Sequence, residues 1–473
     1  MTPPATGAPQ RPAARRRIVE PAPPGPRGPR AFVRNLSVAS AGSALVAAIF
    51  GCTGPALIII DGASANGLSP EQTATWIFGV YVFGGLISLV LATYYRQPVV
   101  GAYSIPGAVL AVGALGSHSF AEMAGAYVVA ALLVLVLGLS GAVRRVMSWL
   151  PLPIIMAMIA GALINFAVGV LDAGREAPWI VAAAVAGFLV STRFLPRVPG
   201  VLGALVCGAA AAAATGAFGA PATEVALTAP QPVVPGFDAG AVLAVSVPLA
   251  VLIVGAENAQ AIGVLITERY RPPMNAMTIA SGVFGLLASP FGAHSANIAG
   301  PMTAICAAPG SGPRAGRYTA AVVNGVLFAA FGVLAGAAVG LVTALPSQLI
   351  SAVAGLAMVT VLVSALQRAF SGGRFQIGAF FALVIAMSGV TAFGISAPFW
   401  ALVGGVLASL VLETGHFRGR DREGALGADE TDGHEGAESA DGDEAGAAAP
   451  ASPGKHGRDE RSASGERPEP ARE

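Results

Sequence analysis

Glu257 lies in the stretch IVGAENAQAIGV, residues 253–264, deep inside an apolar run. A carboxylate in hydrocarbon is costly in its charged form and is functional by default. Because it gains by giving up its charge there, it can take up and release a proton. The bland alternative is a protonated carboxyl that only packs. Asn258, about 100° further round a helix, faces another way and can bond a neighbouring backbone instead.

Two further stretches suggest what lies opposite this carboxylate. VVGAYSIPGAV, residues 99–109, breaks an apolar run with Gly101, Pro106 and Gly107, and SPFGAHSANIAGPMTAI, residues 289–305, repeats the pattern with Gly300 and Pro301. Glycine and proline disfavour an uninterrupted helix. Proline does suit the first turn of a new one, and Ser104 is placed to cap it. Each stretch therefore predicts an extended segment, from Val99 in the first copy and from Ala293 to Ala299 in the second. A half-helix should follow from Pro106 or Pro301. Crossing in opposite directions, the extended pieces can pair antiparallel and satisfy each other's backbone, which lipid cannot do. Both half-helices then point positive ends at one place, with amide hydrogens expected free at Gly107, Ala108, Met302 and Thr303. Such a place suits an anion or a polarised carbonyl. Tyr103 and His294 hold equivalent positions, followed by Ser104 and Ser295. Either ring can touch a ligand or simply pack, and Tyr103 suits stacking on an aromatic ring. Ordinary proline kinks are the competing reading, and they leave the mirrored placement unexplained.

The elements around these stretches follow from composition. The 473 residues are 54% hydrophobic and 11% charged, with a mean hydropathy of +0.69. A soluble domain carries roughly 25% charge, so this is an integral membrane protein. Of its 26 acidic residues, 15 lie after residue 420. Residues 1–35, rich in Arg and Pro, read as a disordered cytoplasmic leader, and 414–473 as a disordered acidic tail. A signal peptide ending at GASA, residues 62–65, is the alternative for the first apolar run. That run is longer than the roughly 7–15 residues of a signal core, so it is assigned as a span. Cys52, Cys207 and Cys306 stand apart in apolar stretches with no metal-ligand or disulfide spacing. They read as small core residues, and no cofactor or metal is expected.

About fourteen apolar segments can be counted, several shorter than the roughly 20 residues of a full span. Arg96, Arg144, Arg145, Arg193, Arg197, Arg269, Arg271, Arg314, Arg317, Arg368 and Arg374 are assigned to alternate loops. With both termini inside, those loops are cytoplasmic. Seven spans (36–216), an external loop (217–238) and seven more (239–413) put the halves in opposite orientations. The paired broken segments echo each other, as do LPLPIIMAMIAG (150–161) and LPSQLISAVAG (345–355). Together they argue for inverted repeats. Asp61 and Glu413, at helix ends, are expected to be solvated, and Asn165 and Asn324 to bond between helices.

YYRQPVVGAYSIPGAVL, GLSGAVRRVMSWLPLPIIMAMIAG and SPFGAHSANIAGPMTAIC, followed by Arg317-Tyr318, resemble the benzoate:proton symporters from about Ser37 to Glu413. The resemblance implies the all-helical polytopic fold shared with nucleobase transporters. In that fold two short strands interrupt the third and tenth spans, and a core (spans 1–4 and 8–11) moves against a gate (5–7 and 12–14). Members of that family usually have Thr-Ala-Trp-Ser-Thr-Pro-Gly where this chain has GAYSIPG. They have Gln-Asn-x-Pro where it has Glu257-Asn258-Ala259-Gln260. The carboxylate in place of Gln either serves proton coupling or marks a different ligand, since nucleobase transporters place an acid on this helix.

The function expected is secondary active import of benzoate or a similar aromatic carboxylate by proton symport. Glu257 would carry the proton, and Tyr103, Ser104, Gly107, Ala108, Glu257, Asn258, His294, Ser295, Met302 and Thr303 would form the substrate site. A nucleobase or xanthine symporter on the same fold is the alternative, followed by an uncoupled anion carrier. Enzyme motifs such as HExxH and GxSxG are absent from the sequence. Expected partners are the aromatic acid, the proton, the bilayer of the cell membrane and a second copy in a homodimer. Nucleic acid is not among them.

Overall fold

A computed structural model describes residues 18–24, 28–143, 145, 151–195, 198–218, 229–390, 392 and 397–416. A short helix α1 (Pro29–Asn35) precedes α2 (Val38–Cys52) and α3 (Gly54–Ala65), which make one span interrupted at Thr53. Then come α4 (Pro70–Tyr95), β1 (Gly101–Ala102), α5 (Ile105–Leu115) and α6 (Phe120–Ser140). α7 (Leu152–Glu176), α8 (Pro178–Phe194) and α9 (Gly200–Ala214) complete the first half. The second half holds α10 (Ala239–Thr267), α11 (Met274–Ala288), β2 (Asn297–Ile298) and α12 (Gly300–Ala307). It ends with α13 (Tyr318–Val333), α14 (Ala335–Thr343), α15 (Ser347–Phe370), α16 (Gln376–Met387) and α17 (Ala397–Leu412). Among the described residues, eight helices are long and apolar enough to cross a membrane, and shorter apolar helices fill the other runs.

Local chemistry sets the helix starts. Ser69 and Ser119 open α4 and α6 with reciprocal caps, each serine hydroxyl accepting an amide three residues on while Gln72 or Glu122 reaches back. Such a cap contributes about 1 kcal/mol. α10 departs from regular geometry. Two π-helical segments, Val242–Ser246 and Leu252–Asn258, flank Val247–Val251, which contains Pro248. Proline lacks an N–H, and π turns recur at functional sites. Glu257 sits in the second of them.

The two broken runs meet. β1 and β2 pair antiparallel, with Gly101 opposite Ile298 and Ala102 opposite Asn297. The Ala299 amide extends the pair by donating to the Val100 carbonyl at 2.8 Å. α4 lies directly on β1: a Cβ at Gly84 would come within 2.7 Å of the Ala102 backbone. The helices pack as two sets. α2–α6 surround the strand pair together with α10–α13, while α7–α9 pack with α15–α17.

Several expectations change. Within the stretch read as leader, the Glu20 carboxylate accepts the Asn275 and Ala276 amides at 2.9 and 3.1 Å, capping α11. Residues 1–17 and the tail from 417 lie outside the described residues. Glu413 is buried rather than solvated, because it caps α16 through the Ile377 and Gly378 amides, both at 3.1 Å. Asp61 is partly buried and takes a hydrogen bond from Ser351 at 3.3 Å. Asn324 is buried without a hydrogen-bond partner among the described residues, and Asn165 is exposed. Cys207 is exposed, whereas Cys306 is buried and Cys52 partly so.

The close approach of α4 to β1 is testable. Gly84→Val should destabilise the protein by about 1–3 kcal/mol through overpacking. Gly113→Ala in α5, where a Cβ meets nothing within 4 Å, should be neutral or stabilising by up to about 1 kcal/mol. Thermal unfolding in detergent checks this, and equal melting of the two variants would contradict the packing.

Candidate functional site

Every backbone polar group around the break must find a partner away from water. Small polar side chains supply what two strand residues cannot. The Ser88 hydroxyl accepts the Gly101 amide at 2.8 Å, and Thr303 Oγ1 accepts the Val100 amide at 3.2 Å. Ser295 Oγ accepts the Ser104 amide at 3.0 Å. Asn258 Oδ1 accepts the Ile298 amide at 3.3 Å, while its amino group faces Ser281. Thr303, Ser295 and Asn258, expected among substrate ligands, are thus used to hold the strands, and Asn258 does bond the strand backbone.

Three of the four amide hydrogens expected free are spoken for. Ser104 caps α5 by accepting the Gly107 amide at 3.0 Å, and its carbonyl takes the Ala108 amide at 2.9 Å. The Thr303 amide donates to the Ala299 carbonyl at 3.0 Å. The donors at the very start of each half-helix are Ile105 and Gly300, since Pro106 and Pro301 have none. Glu257 fills that position: its carboxyl faces both amides, with the Ser104 hydroxyl 3.4 Å from Oε1. One carboxyl therefore sits at two positive helix ends, 7% exposed.

The two rings have separate assignments. Trp76 Nε1–H, which can only donate, points at His294 Nδ1 at 3.1 Å. Nδ1 is then the acceptor, and the ring proton lies on Nε2, 2.9 Å from the Ser104 carbonyl that receives it. A second ring proton would set two N–H groups face to face. The geometry makes His294 a fixed brace between α4 and the α5 cap. Tyr103 stacks edge-on against His294 and Tyr81, with centroids 5.6 and 5.2 Å away. Its hydroxyl meets that of Tyr81 at 2.9 Å, and Tyr81 donates to the Gly51 carbonyl at 2.6 Å. Only the Tyr103 ring is left for a ligand.

A cavity of about 160 Å³ opens beside Glu257. Its core wall includes Tyr103, Glu257, Gln260 and Met302; across it stand Met156 and Ile159 of α7 and Thr360, Ser364 and Arg368 of α15. The cavity is mostly apolar, with one acid and one base. It is smaller than the ~300–1,000 Å³ of drug-sized sites, so it suits a single small ring. Neither Asn258, His294, Ser295 nor Thr303 lines it, and neither do Gly107 and Ala108. Phe50, Gln260 and Arg368 do, and sequence reasoning missed them. Arg368 was assigned to a loop, yet it lies in the last turn of α15. The signal available was its spacing from Thr360 and Ser364, four and eight residues along one helix face. Among the described residues no cluster of His, Cys, Asp or Glu could hold a metal.

A family model described as "Benzoate membrane transport protein" matches residues 33–411. The chain belongs to that family. A "Benzoate membrane transport protein" of Acinetobacter baylyi is 27% identical over 379 residues, 80% of this chain and 95% of the relative. "Inner membrane protein YdcO" of Escherichia coli is 28% identical over 368 residues, 78% of this chain and 94% of the relative. Among solved structures, the transmembrane domain of a cyanobacterial bicarbonate transporter, BicA, aligns with a TM-score of 0.56 at 16% identity. It covers 79% of this chain and 98% of that one. The murine Solute Carrier 26 family member A9 anion transporter, titled as inward-facing, gives 0.52 at 13% identity, covering 82% and 70%. These structures share the fold. This member of the benzoate membrane transport protein family is a multi-pass inner membrane transporter, not an enzyme.

In this family member, ¹⁵N spectra of labelled histidine should show His294 as the Nε2–H tautomer from about pH 6 to 8, across the usual range of histidine titration. A doubly protonated ring in that range would contradict the Trp76 geometry. His294→Phe should cost about 1–3 kcal/mol for each buried partner left unpaired.

Proposed function

We propose that the protein imports benzoate or a similar aromatic carboxylate together with a proton. The observation that carries this reading is the Glu257 carboxyl at the amino ends of both half-helices, on the wall of an apolar cavity. Two helix ends favour one negative charge there, and two carboxylates in one place repel. A substrate carboxylate can take the Ile105 and Gly300 amides only when Glu257 is neutral, so proton and anion enter together. The ring of the substrate then lies against Tyr103, Met302, Met156 and Ile159, contacts that suit an aromatic face.

Alternating access in this reading is elevator-like. α2–α6 and α10–α13 carry the site against α7–α9 and α15–α17. In this reading the basic residues of alternate loops lie on the cytoplasmic side, together with both termini. The curated benzoate transport relative and the family match support the substrate class. The carboxylate at position 257 keeps one other reading open, a nucleobase or xanthine whose ring N–H groups donate to it.

Uptake of labelled benzoate into proteoliposomes should be saturable and concentrative under an imposed inward proton gradient. Uptake indifferent to that gradient removes proton coupling and leaves an uncoupled carrier. Competition by uracil or xanthine but not by benzoate favours the nucleobase reading. Glu257→Gln should keep benzoate affinity within about threefold, about 0.7 kcal/mol, and lose accumulation above equilibrium. A mutant that still concentrates substrate would show that Glu257 does not carry the coupled proton.

A further inference from the structure

The cavity has a formal charge on each wall. Glu257 stands on the core side and Arg368 on the α15 side, and these are the two charged residues among those lining it. The two face one cavity. The other titratable groups near that carboxyl are the Tyr103 hydroxyl, bonded to Tyr81, and His294, braced by Trp76. Of the elements packed against this part of α10, α11 contains no titratable residue. The charged residues of α7 (Asp172, Arg175 and Glu176) lie at its other end from Met156 and Ile159.

Arg368 is exposed on that wall, whereas two other arginines of the molecule are tied down. Arg317 is tied to Glu268 at 2.9 Å and to the Ala307 and Gly312 carbonyls, and Arg175 to Asp172 at 2.8 Å. The Arg368 guanidinium makes no hydrogen bond or ion pair among the described residues, and it opens onto a cavity that holds a carboxylate. Its helix presents Thr360 and Ser364 on the same wall. Hydroxyls one and two turns before a guanidinium can complete the hydrogen bonds of a bound carboxylate.

We infer that Arg368 is the anion-selecting residue of this site, the counter-charge for an aromatic carboxylate, with Thr360 and Ser364 as supporting hydroxyls. The inference rests on the transport reading above and deepens it. In the empty site Arg368 balances ionised Glu257. In the loaded site Glu257 is neutral and Arg368 balances the substrate. The cavity is thus electrically balanced in both states, and a neutral ring of the same shape gains nothing from the guanidinium.

The test uses the purified full-length protein and two isosteric ligands, benzoate and benzamide, titrated calorimetrically. The wild type should prefer benzoate, and a wild type without that preference overturns the proposal whatever the variants do. Arg368→Gln should weaken benzoate about 10- to 100-fold, the worth of a charge-assisted contact, and leave benzamide unchanged. Arg368→Lys should fall between, because an ammonium keeps the charge and loses the planar fork. An unchanged benzoate-to-benzamide ratio in Arg368→Gln, or equal loss of both ligands with unaltered melting, overturns it. Gradient-indifferent uptake with the Arg368 pattern intact would sink only the coupling reading. A wild type that binds uracil and neither benzene ring sinks both.

Discussion

A backbone that leaves the helix inside a lipid bilayer must be paid in hydrogen bonds by the protein itself, and the rest of this molecule is arranged around that debt. The strand pair has two residues on each side, too few to close the gap. Val100, Gly101, Ser104 and Ile298 hand their amides to Thr303, Ser88, Ser295 and Asn258. In low dielectric each unmatched group would cost about 1–3 kcal/mol. Polar side chains at this depth are therefore presumptive scaffold, and a chemical role belongs only to those with capacity left over.

By that standard Glu257 is the exception. Its carboxyl faces the amides of Ile105 and Gly300 at the starts of the two half-helices, beside the scaffold that serves the rest of the backbone. In the proposed reading the ionised carboxyl is held by two helix ends, and the neutral one leaves those ends to a substrate anion. In that proposed reading the break in the helices and the proton carried by the carboxyl are one device. A continuous helix would present no free amide, and a carboxylate beside it would have no partner strong enough to offset its desolvation.

How much of this was legible depended on the range of the interaction. Gly101, Pro106 and Pro301 act within a few residues, so the extended pieces, their antiparallel meeting and the half-helix starts could be read from spacing. The Ser104 cap is equally local. Trp76 and His294 are 218 positions apart, and nothing in either neighbourhood announces their bond, so the sequence leaves the histidine open between ligand and packing. The amides of Gly107, Ala108 and Thr303 are taken within their own half-helices, because spacing does not say which donors a cap consumes. Arg368 was hidden by the rule that served the topology. An arginine near a helix end satisfies the positive-inside pattern whether it faces water or a cavity, and only packing separates the two. The π turns of α10 left no trace beyond Pro248.

The seam between the two helix sets follows from the same accounting. β1 and β2 bind α5 to α12 through main-chain bonds, so the two half-helix ends cannot separate without unsatisfied amides. Any displacement of one set against the other must carry α5, α10 and α12 together, with Glu257 between them. The surface they would slide along offers Met156, Ile159, Val361 and Ala365, side chains that exchange one apolar contact for another with no hydrogen bond to break. Methionine in particular adapts its shape. Among the residues lining that wall, the guanidinium of Arg368 would be the one charge left behind by such a movement. In the proposed reading a proton on Glu257 leaves the loaded site with the single negative charge of the substrate, the same charge that the empty site carries with Glu257 ionised.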